Sequence, residues 1–278
     1  MKIAVLGAGA FGEALGGILS RRGFEVEYFD PKFSNNTLGS VLKGSSYIVL
    51  CVPSKAVPEL LETIPENFRN IPLIIATKGL LGEKLFKDFK DYMVLSGPGF
   101  ASDIKEGKRI RLTVTDSRVN DLFKSVFIDF DYTKDRQGVL LCGALKNVYA
   151  ILSGYLELER ETTEWKEFIN DVVGEMKEIL VLNFAEAKTV DLACGVGDLE
   201  LTAGYPSRNY EFGREKRENP DYEAEKTVEG LSALGQIING EIKISDDLPL
   251  LNQLILLAKN DWRFIPEYRG NAEEAKEE

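Results

Sequence analysis

The chain has 278 residues, 44% of them hydrophobic, which is enough for one large core or two moderate ones. Its formal charge of −11 opposes binding to a nucleic-acid backbone, which demands a dense basic face. There is no histidine, so histidine triads and histidine-ligated metals are excluded, and proton transfer near neutral pH falls to Lys, Asp, Glu, Tyr, Cys or water.

Three cysteines, Cys51, Cys142 and Cys194, are too few and too widely spaced for a disulfide framework or a zinc knuckle. They read as small buried hydrophobes in a reducing compartment, with no metal site expected. No apolar run reaches the length of a membrane span, and the opening residues lead into a glycine-rich turn rather than a signal-peptidase site. The expectation is a cytoplasmic protein.

In chain order, Lys2 to Leu6 is a strand, Gly7-Ala8-Gly9-Ala10-Phe11-Gly12 a turn, Glu13 to Arg22 a helix stopped by Gly23, and Glu25 to Asp30 a second strand. Strands are expected at Tyr47 to Val52, Leu73 to Thr77, Met93 to Ser96, Leu112 to Thr115 and Phe127 to Tyr132. Helices fall near Pro58 to Ile64 and Leu81 to Lys90. This alternation predicts an α/β fold with a mostly parallel, doubly wound sheet. From about Val139 helical periodicity takes over, at Leu140 to Leu158, Glu164 to Lys188, Lys226 to Ile238 and Leu248 to Lys259. The domain reading is therefore 1–134 for an N-terminal dinucleotide-binding domain of Rossmann type, 135–270 for a C-terminal all-helical domain carrying substrate and catalytic groups, and 271–278 for a disordered acidic tail.

The fingerprint glycines have separable roles. Gly7 permits the tight turn, Gly9 lets the backbone approach a pyrophosphate, and Gly12 allows close helix-to-strand packing. The helix that follows points its free N–H groups at the phosphates. The strand before and the helix after are the context this motif requires. Asp30, at the end of the second strand, stands where a carboxylate accepts from the adenosine ribose hydroxyls and repels a 2′-phosphate, favouring NAD, with NADP possible. A solvated turn residue before Pro31 is the alternative for Asp30.

Four later segments carry residues that hold anions or move protons: Ala76-Thr77-Lys78-Gly79, Cys142-Gly143-Ala144-Leu145-Lys146-Asn147, Gly195-Val196-Gly197-Asp198-Leu199-Glu200-Leu201-Thr202 and Ser207-Arg208-Asn209. Together with CVPS at Cys51 to Ser54, SGPGFA at Ser96 to Ala101, SRNYEFG at Ser207 to Gly213 and VEG at Val228 to Gly230, they resemble the soluble NAD(P)-dependent glycerol-3-phosphate dehydrogenase family. The resemblance implies hydride transfer between NAD(P)H and dihydroxyacetone phosphate to give glycerol 3-phosphate, supplying glycerophospholipid synthesis, in a homodimer.

By motif match the resemblance makes Lys146 the catalytic acid and base, with Lys78 and Asp198 beside it in catalysis. It places Lys78, Gly97, Lys146, Asp198, Thr202, Ser207, Arg208 and Asn209 around the small phosphorylated substrate. Cofactor contacts fall to Gly7, Gly9, Ala10, Phe11, Gly12, Asp30, Lys78, Ala101, Arg208 and Glu229. The chemistry agrees independently, since ketone reduction needs a partner for the developing alkoxide and a proton, and an ammonium supplies both. Lys78, if it faces Lys146, would favour proton release by like-charge pressure, while Asp198 is assigned mainly to orientation. Arg208 has the planar donor geometry to grip a phosphate.

Three positions depart from the family pattern. Gly99 replaces a common Ser or Thr, and Tyr210 and Glu211 stand where basic residues are common. Two other readings are open: a β-hydroxyacid dehydrogenase, which also joins such a nucleotide domain to a helical one carrying a catalytic lysine, and a catalytically silent NAD-binding protein.

Overall fold

The computed structural model describes residues 1–33, 35–79, 82–99 and 101–263. The expected tail at 271–278 lies outside the described residues, as does Phe100 of SGPGFA. The chain divides into two compact units, one of Met1–Lys78 with Gly82–Leu140 and a second that takes over at Leu141.

The first unit is one seven-stranded sheet: β1 (Lys2–Leu6), β2 (Glu25–Phe29), β3 (Ser45–Leu50), β4 (Leu73–Ile75), β5 (Tyr92–Ser96), β6 (Ile110–Val114) and β7 (Ile128–Tyr132). Among the described residues five helices accompany it: α1 (Ala10–Arg21), α2 (Leu38–Leu42), α3 (Val57–Thr63), α4 (Ala101–Glu106) and α5 (Ser117–Phe123). The strand order is β2-β1-β3-β4-β5-β6-β7. The chain runs from β1 outward to β2 and then crosses to β3, so a topological switch point lies at the carboxyl end of β1, where such sheets bind ligands. β2 is an edge strand, and between it and β3 the short helix α2 is the one regular element among the described residues.

Every pair is parallel except β5 with β6, which is antiparallel through Leu95 opposite Val114 and Ser96 opposite Thr113. Among the described residues the link from Ser96 to Ile110 holds the six-residue α4, whose Ile104 is buried in the sheet core. The sheet core is aliphatic, with Ile3, Val5, Val49, Ile74, Met93 and Leu112 buried against Leu15 and Ile18 of α1.

The second unit is helical: α6 (Arg136–Tyr155), which spans the division, then α7 (Thr163–Leu182), α8 (Asp198–Thr202), α9 (Arg208–Glu218), α10 (Glu229–Ile238) and α11 (Pro249–Lys259). From Gly138 to Tyr155 every residue of α6 is buried. Among the described residues α6 is the one helix long and apolar enough to cross a membrane, and its apolar stretch is wholly buried. It is a core helix.

Some elements differ from the sequence expectation. The helix expected from Glu164 to Lys188 stops at Leu182, because Asn183 turns its side chain back to the Ile179 carbonyl and Phe184 takes a left-handed conformation with φ 61°. The expected helix at Leu81 to Lys90 is a single 3₁₀ turn, Glu83–Phe86, whose Glu83 N–H donates to the Gln137 side chain and whose Glu83 carboxylate accepts from the Tyr92 hydroxyl. Helices α2 and α5 start on side-chain caps, Thr37 and Asp116.

Candidate active site

The glycine turn in the first unit is built as its sequence demands. Gly7 has φ 106°, and a Cβ there would sit 2.8 Å from the Cys51 carbonyl carbon. A Cβ on Gly12 would collide with the Gly7 carbonyl oxygen, so α1 crosses β1 only with glycine at that position. At Gly9, by contrast, an added Cβ meets nothing within 4 Å, so the backbone there borders open space. Gly9 is also the N-cap of α1 and supplies no side-chain cap bond, so the first-turn N–H groups, starting with Ala10 and Phe11, are left for another acceptor. A bare glycine edge on an uncapped helix N-terminus fits a dinucleotide pyrophosphate.

Asp30 is fixed to this turn. One carboxylate oxygen accepts from the Ala8 N–H and the other from the Lys32 N–H, both at 2.9 Å. The carboxylate is thus built into the turn, which fits the turn role, and each oxygen has a second lone pair with which a ribose hydroxyl could bond. Cys51 lies under the same turn, and burial pushes its thiol up to about 12, as expected of an unreactive small hydrophobe.

Lys78 follows β4, where the Thr77 hydroxyl donates to the Val52 carbonyl at 2.9 Å. Its ammonium donates to the Gly97 carbonyl at 3.0 Å and stands 5.6 Å from the centre of the Phe11 ring. Phe11, Lys78 and Gly97, which the sequence places far apart, thus form one cluster. Ala101 opens α4 nearby in the chain.

In the second unit, Lys146 is 3% exposed in the middle of α6. Its Nζ lies 2.6 Å from Asp198 Oδ1 and donates to Thr202 Oγ1 at 3.0 Å. Asp198 is fully buried. Asp198 and Thr202 are four residues apart, so α8 presents both on one face to one ammonium. The glycine-bearing π-helical stretch Ala193–Gly197 delivers the chain to that point. Such a pair forms a rigid, charged donor in an apolar interior, which suits both stabilisation of an alkoxide and protonation of it.

The Ser207-Arg208-Asn209 segment opens α9, with Ser207 as its buried N-cap residue. Arg208 is exposed and donates to the Thr227 carbonyl at 3.3 Å. Asn209 is buried: its Nδ2 donates to Asn147 Oδ1 and its Oδ1 accepts from the Gly230 N–H, both at 2.9 Å. Glu229 is the first residue of α10, adjoining that bond. Tyr210, two residues after Arg208, is buried and donates its hydroxyl to the Leu158 carbonyl at 3.1 Å.

Sequence reasoning passes over Asn147. An amide inside a wholly buried helix must find partners, and that signal is present in the sequence. Among the described residues no group of three Cys, Asp or Glu side chains converges as for a metal ion.

Two family models match this chain: the NAD-dependent glycerol-3-phosphate dehydrogenase N-terminus over residues 32–121 and the corresponding C-terminus over 135–264. A glycerol-3-phosphate dehydrogenase [NAD(P)+] of Pseudomonas entomophila is 30% identical, covering 86% of this chain and 81% of its own. The chain belongs to this family. The homologue from Neorickettsia sennetsu is 26% identical over 91% of this chain and 90% of its own. Among solved structures, glycerol-3-phosphate dehydrogenase from Coxiella burnetii shares the fold with a TM-score of 0.78 at 22% identity, covering 94% of this chain and 95% of that one. A D-mandelate dehydrogenase shares it more distantly, with a TM-score of 0.59 at 14% identity and coverage of 94% and 99%.

Proposed function

We propose that this chain is an NAD(P)-dependent glycerol-3-phosphate dehydrogenase that interconverts dihydroxyacetone phosphate and sn-glycerol 3-phosphate, with Lys146 as its acid and base. The observation that carries the reading is the buried Lys146 ammonium held by Asp198 and Thr202, in a chain of this family. When bound, NAD(P)H supplies the hydride. Lys146 offers its ammonium to the substrate carbonyl oxygen, stabilises the negative charge that develops there, and gives up a proton to complete the alcohol. Asp198 orients Lys146, and Thr202 fixes the direction of one of its N–H bonds.

Gly7, Gly9, Gly12 and the N-terminus of α1, through Ala10 and Phe11, hold the pyrophosphate, and Asp30 takes the ribose hydroxyls. The doubly bonded Asp30 carboxylate supports a preference for NAD, because a 2′-phosphate would meet a fixed negative charge. Ala101 and Glu229 complete the cofactor contacts. Lys78, Gly97 and Ser207 take the substrate, with Arg208 on its phosphate. We further propose a cytoplasmic homodimer that supplies glycerol 3-phosphate for phospholipid synthesis.

Following the absorbance of NADH and of NADPH separately with dihydroxyacetone phosphate tests substrate and cofactor together. Oxidation of NADH faster than NADPH is expected, and Lys146→Met abolishes it. Turnover of a hydroxy acid without turnover of dihydroxyacetone phosphate would overturn the reading in favour of a β-hydroxyacid dehydrogenase.

A further inference from the structure

The second unit contains a chain of hydrogen bonds that all run one way. The Gly230 N–H donates to Asn209 Oδ1, Asn209 Nδ2 donates to Asn147 Oδ1, and Asn147 Nδ2 donates to the Gly143 carbonyl, at 2.9, 2.9 and 3.1 Å. A backbone N–H can only donate, so Gly230 fixes which end of the Asn209 amide is oxygen. That choice fixes the Asn147 amide in turn, whose remaining donor end closes on the helix that carries Lys146. All three bonds are buried, where such a chain strengthens itself and a broken link leaves unpaired groups.

The two ends of the chain are functional elements. One is the start of α10, where Glu229 precedes Gly230. The other is the turn of α6 from Gly143 to Asn147, which bears Lys146. Arg208, next to Asn209, donates to Thr227 and ties the N-terminus of α9 to the same loop a second time. Close packing enforces the contact, since a Cβ on Gly230 would strike the Asn147 carbonyl oxygen and one on Gly213 the Ile151 carbonyl oxygen.

We infer that Asn209 and Asn147 are positioning residues: together they lock the register of α6 against the Thr227–Gly230 loop, and so fix the Lys146 ammonium relative to Glu229 and Arg208. This differs from a role for Asn209 as simply a phosphate ligand. It rests on the reading of Lys146 as the acid and base.

The test is steady-state kinetics on the full-length enzyme with NADH and dihydroxyacetone phosphate, for Asn209→Asp, Asn209→Ala, Asn147→Ala and the Asn147→Ala/Asn209→Ala double variant. Asn209→Asp is isosteric and keeps the acceptor for Gly230 but cannot donate to Asn147. It is expected to lower kcat on the order of tenfold while KM for dihydroxyacetone phosphate stays within about twofold, the pattern of a lost transition-state alignment. The two alanine variants are expected to be strongly non-additive, the double variant losing little more than the worse single. If Asn209 were a phosphate ligand alone, KM would rise with kcat held, and the alanine effects would multiply; either result overturns the inference. Lys146→Met serves as the control for the underlying reading. Full activity in that variant would remove Lys146 as acid and base, whereas an inactive Lys146→Met with an unaffected Asn209→Asp would remove only the positioning role.

Discussion

Asp198→Asn is the most direct perturbation of the site. The side chains of Lys146 and Asp198 are 4% and 1% exposed and their charged atoms stand 2.6 Å apart, so solvent screening does not soften the loss. Removing the carboxylate deprives an ammonium in an apolar interior of the counter-charge it touches. Breaking a buried pair from one side costs about 3–5 kcal/mol. With a urea slope of about 2–3 kcal/mol/M, this lowers the unfolding midpoint by roughly 1–2.5 M. The protein supplies its own probe: its two tryptophans, Trp165 and Trp262, are both buried residues of the helical unit, so their fluorescence reports the unit that holds the pair. Lys146→Met should cost a similar amount by taking the counter-charge from Asp198. The Lys146→Met/Asp198→Asn double variant, with neither charge left, should be less destabilised than either single change. If both single variants unfold within about 1 kcal/mol of wild type, or if their effects simply add, the pair is not the buried, mutually dependent unit described above.

The glycine turn gives a contrasting pair of predictions. Gly9→Ala should leave unfolding unchanged, because nothing meets its Cβ, yet weaken NADH binding at least about tenfold by blocking the approach of phosphate; Gly12→Ala should lose both binding and about 1–3 kcal/mol of stability, since its Cβ meets backbone. Titration of NADH fluorescence alongside thermal melts separates the two. Asp30→Ser should lower kcat/KM for NADH and narrow the gap to NADPH, and an unchanged ratio would remove Asp30 from cofactor selection. For Glu175, burial raises the carboxyl above its ordinary 4.5 despite donors from Tyr149, Leu250 and Leu251. An acid whose folded pKa is raised binds its proton more tightly when folded, so wild-type stability from this group falls as pH rises from about 4.5 through the raised value. Glu175→Gln lacks that slope and loses an acceptor, so it should be less stable throughout, by a margin that narrows as pH rises across that window. A margin that widens would reverse the sign of the argument.

How much of this is legible in the sequence depends on whether a feature is local. The βαβ start, the aliphatic strands and the helical second half follow from periodicity, and the fingerprint glycines can be given their roles one by one because each role concerns a neighbouring turn. The direction of β6 cannot be read, since an alternating strand pattern is the same whichever way the strand runs. The short helices α4 and α5 escape for a related reason: six or seven residues offer too few turns for a period to show. In the site, Lys146, Asp198 and Thr202 are found by motif, and the four-residue spacing in GDLELT already places the last two on one helix face. Asn209 reads as a substrate ligand on its neighbours' account. The structure engages both ends of its amide inside the protein, with partners 62 and 21 residues away that no local pattern joins.

Under the proposed function, the absence of histidine leaves the proton to a lysine. A protein that must protonate an alkoxide without imidazole needs a group that stays charged and stays in place, and lysine is a flexible group that normally extends its amine to water. Burial of every residue of α6 from Gly138 to Tyr155 removes that escape. Burial alone would expel the charge, so it requires a carboxylate within contact distance, and Asp198 supplies it. Asp198 Oδ1 lies 2.6 Å from the ammonium, and the Thr202 hydroxyl accepts from it at 3.0 Å. An arginine in the same place would bring five donors in a fixed plane to those acceptors and leave several unpaired. The arrangement that makes a buried lysine tolerable is therefore also the one that holds it in place.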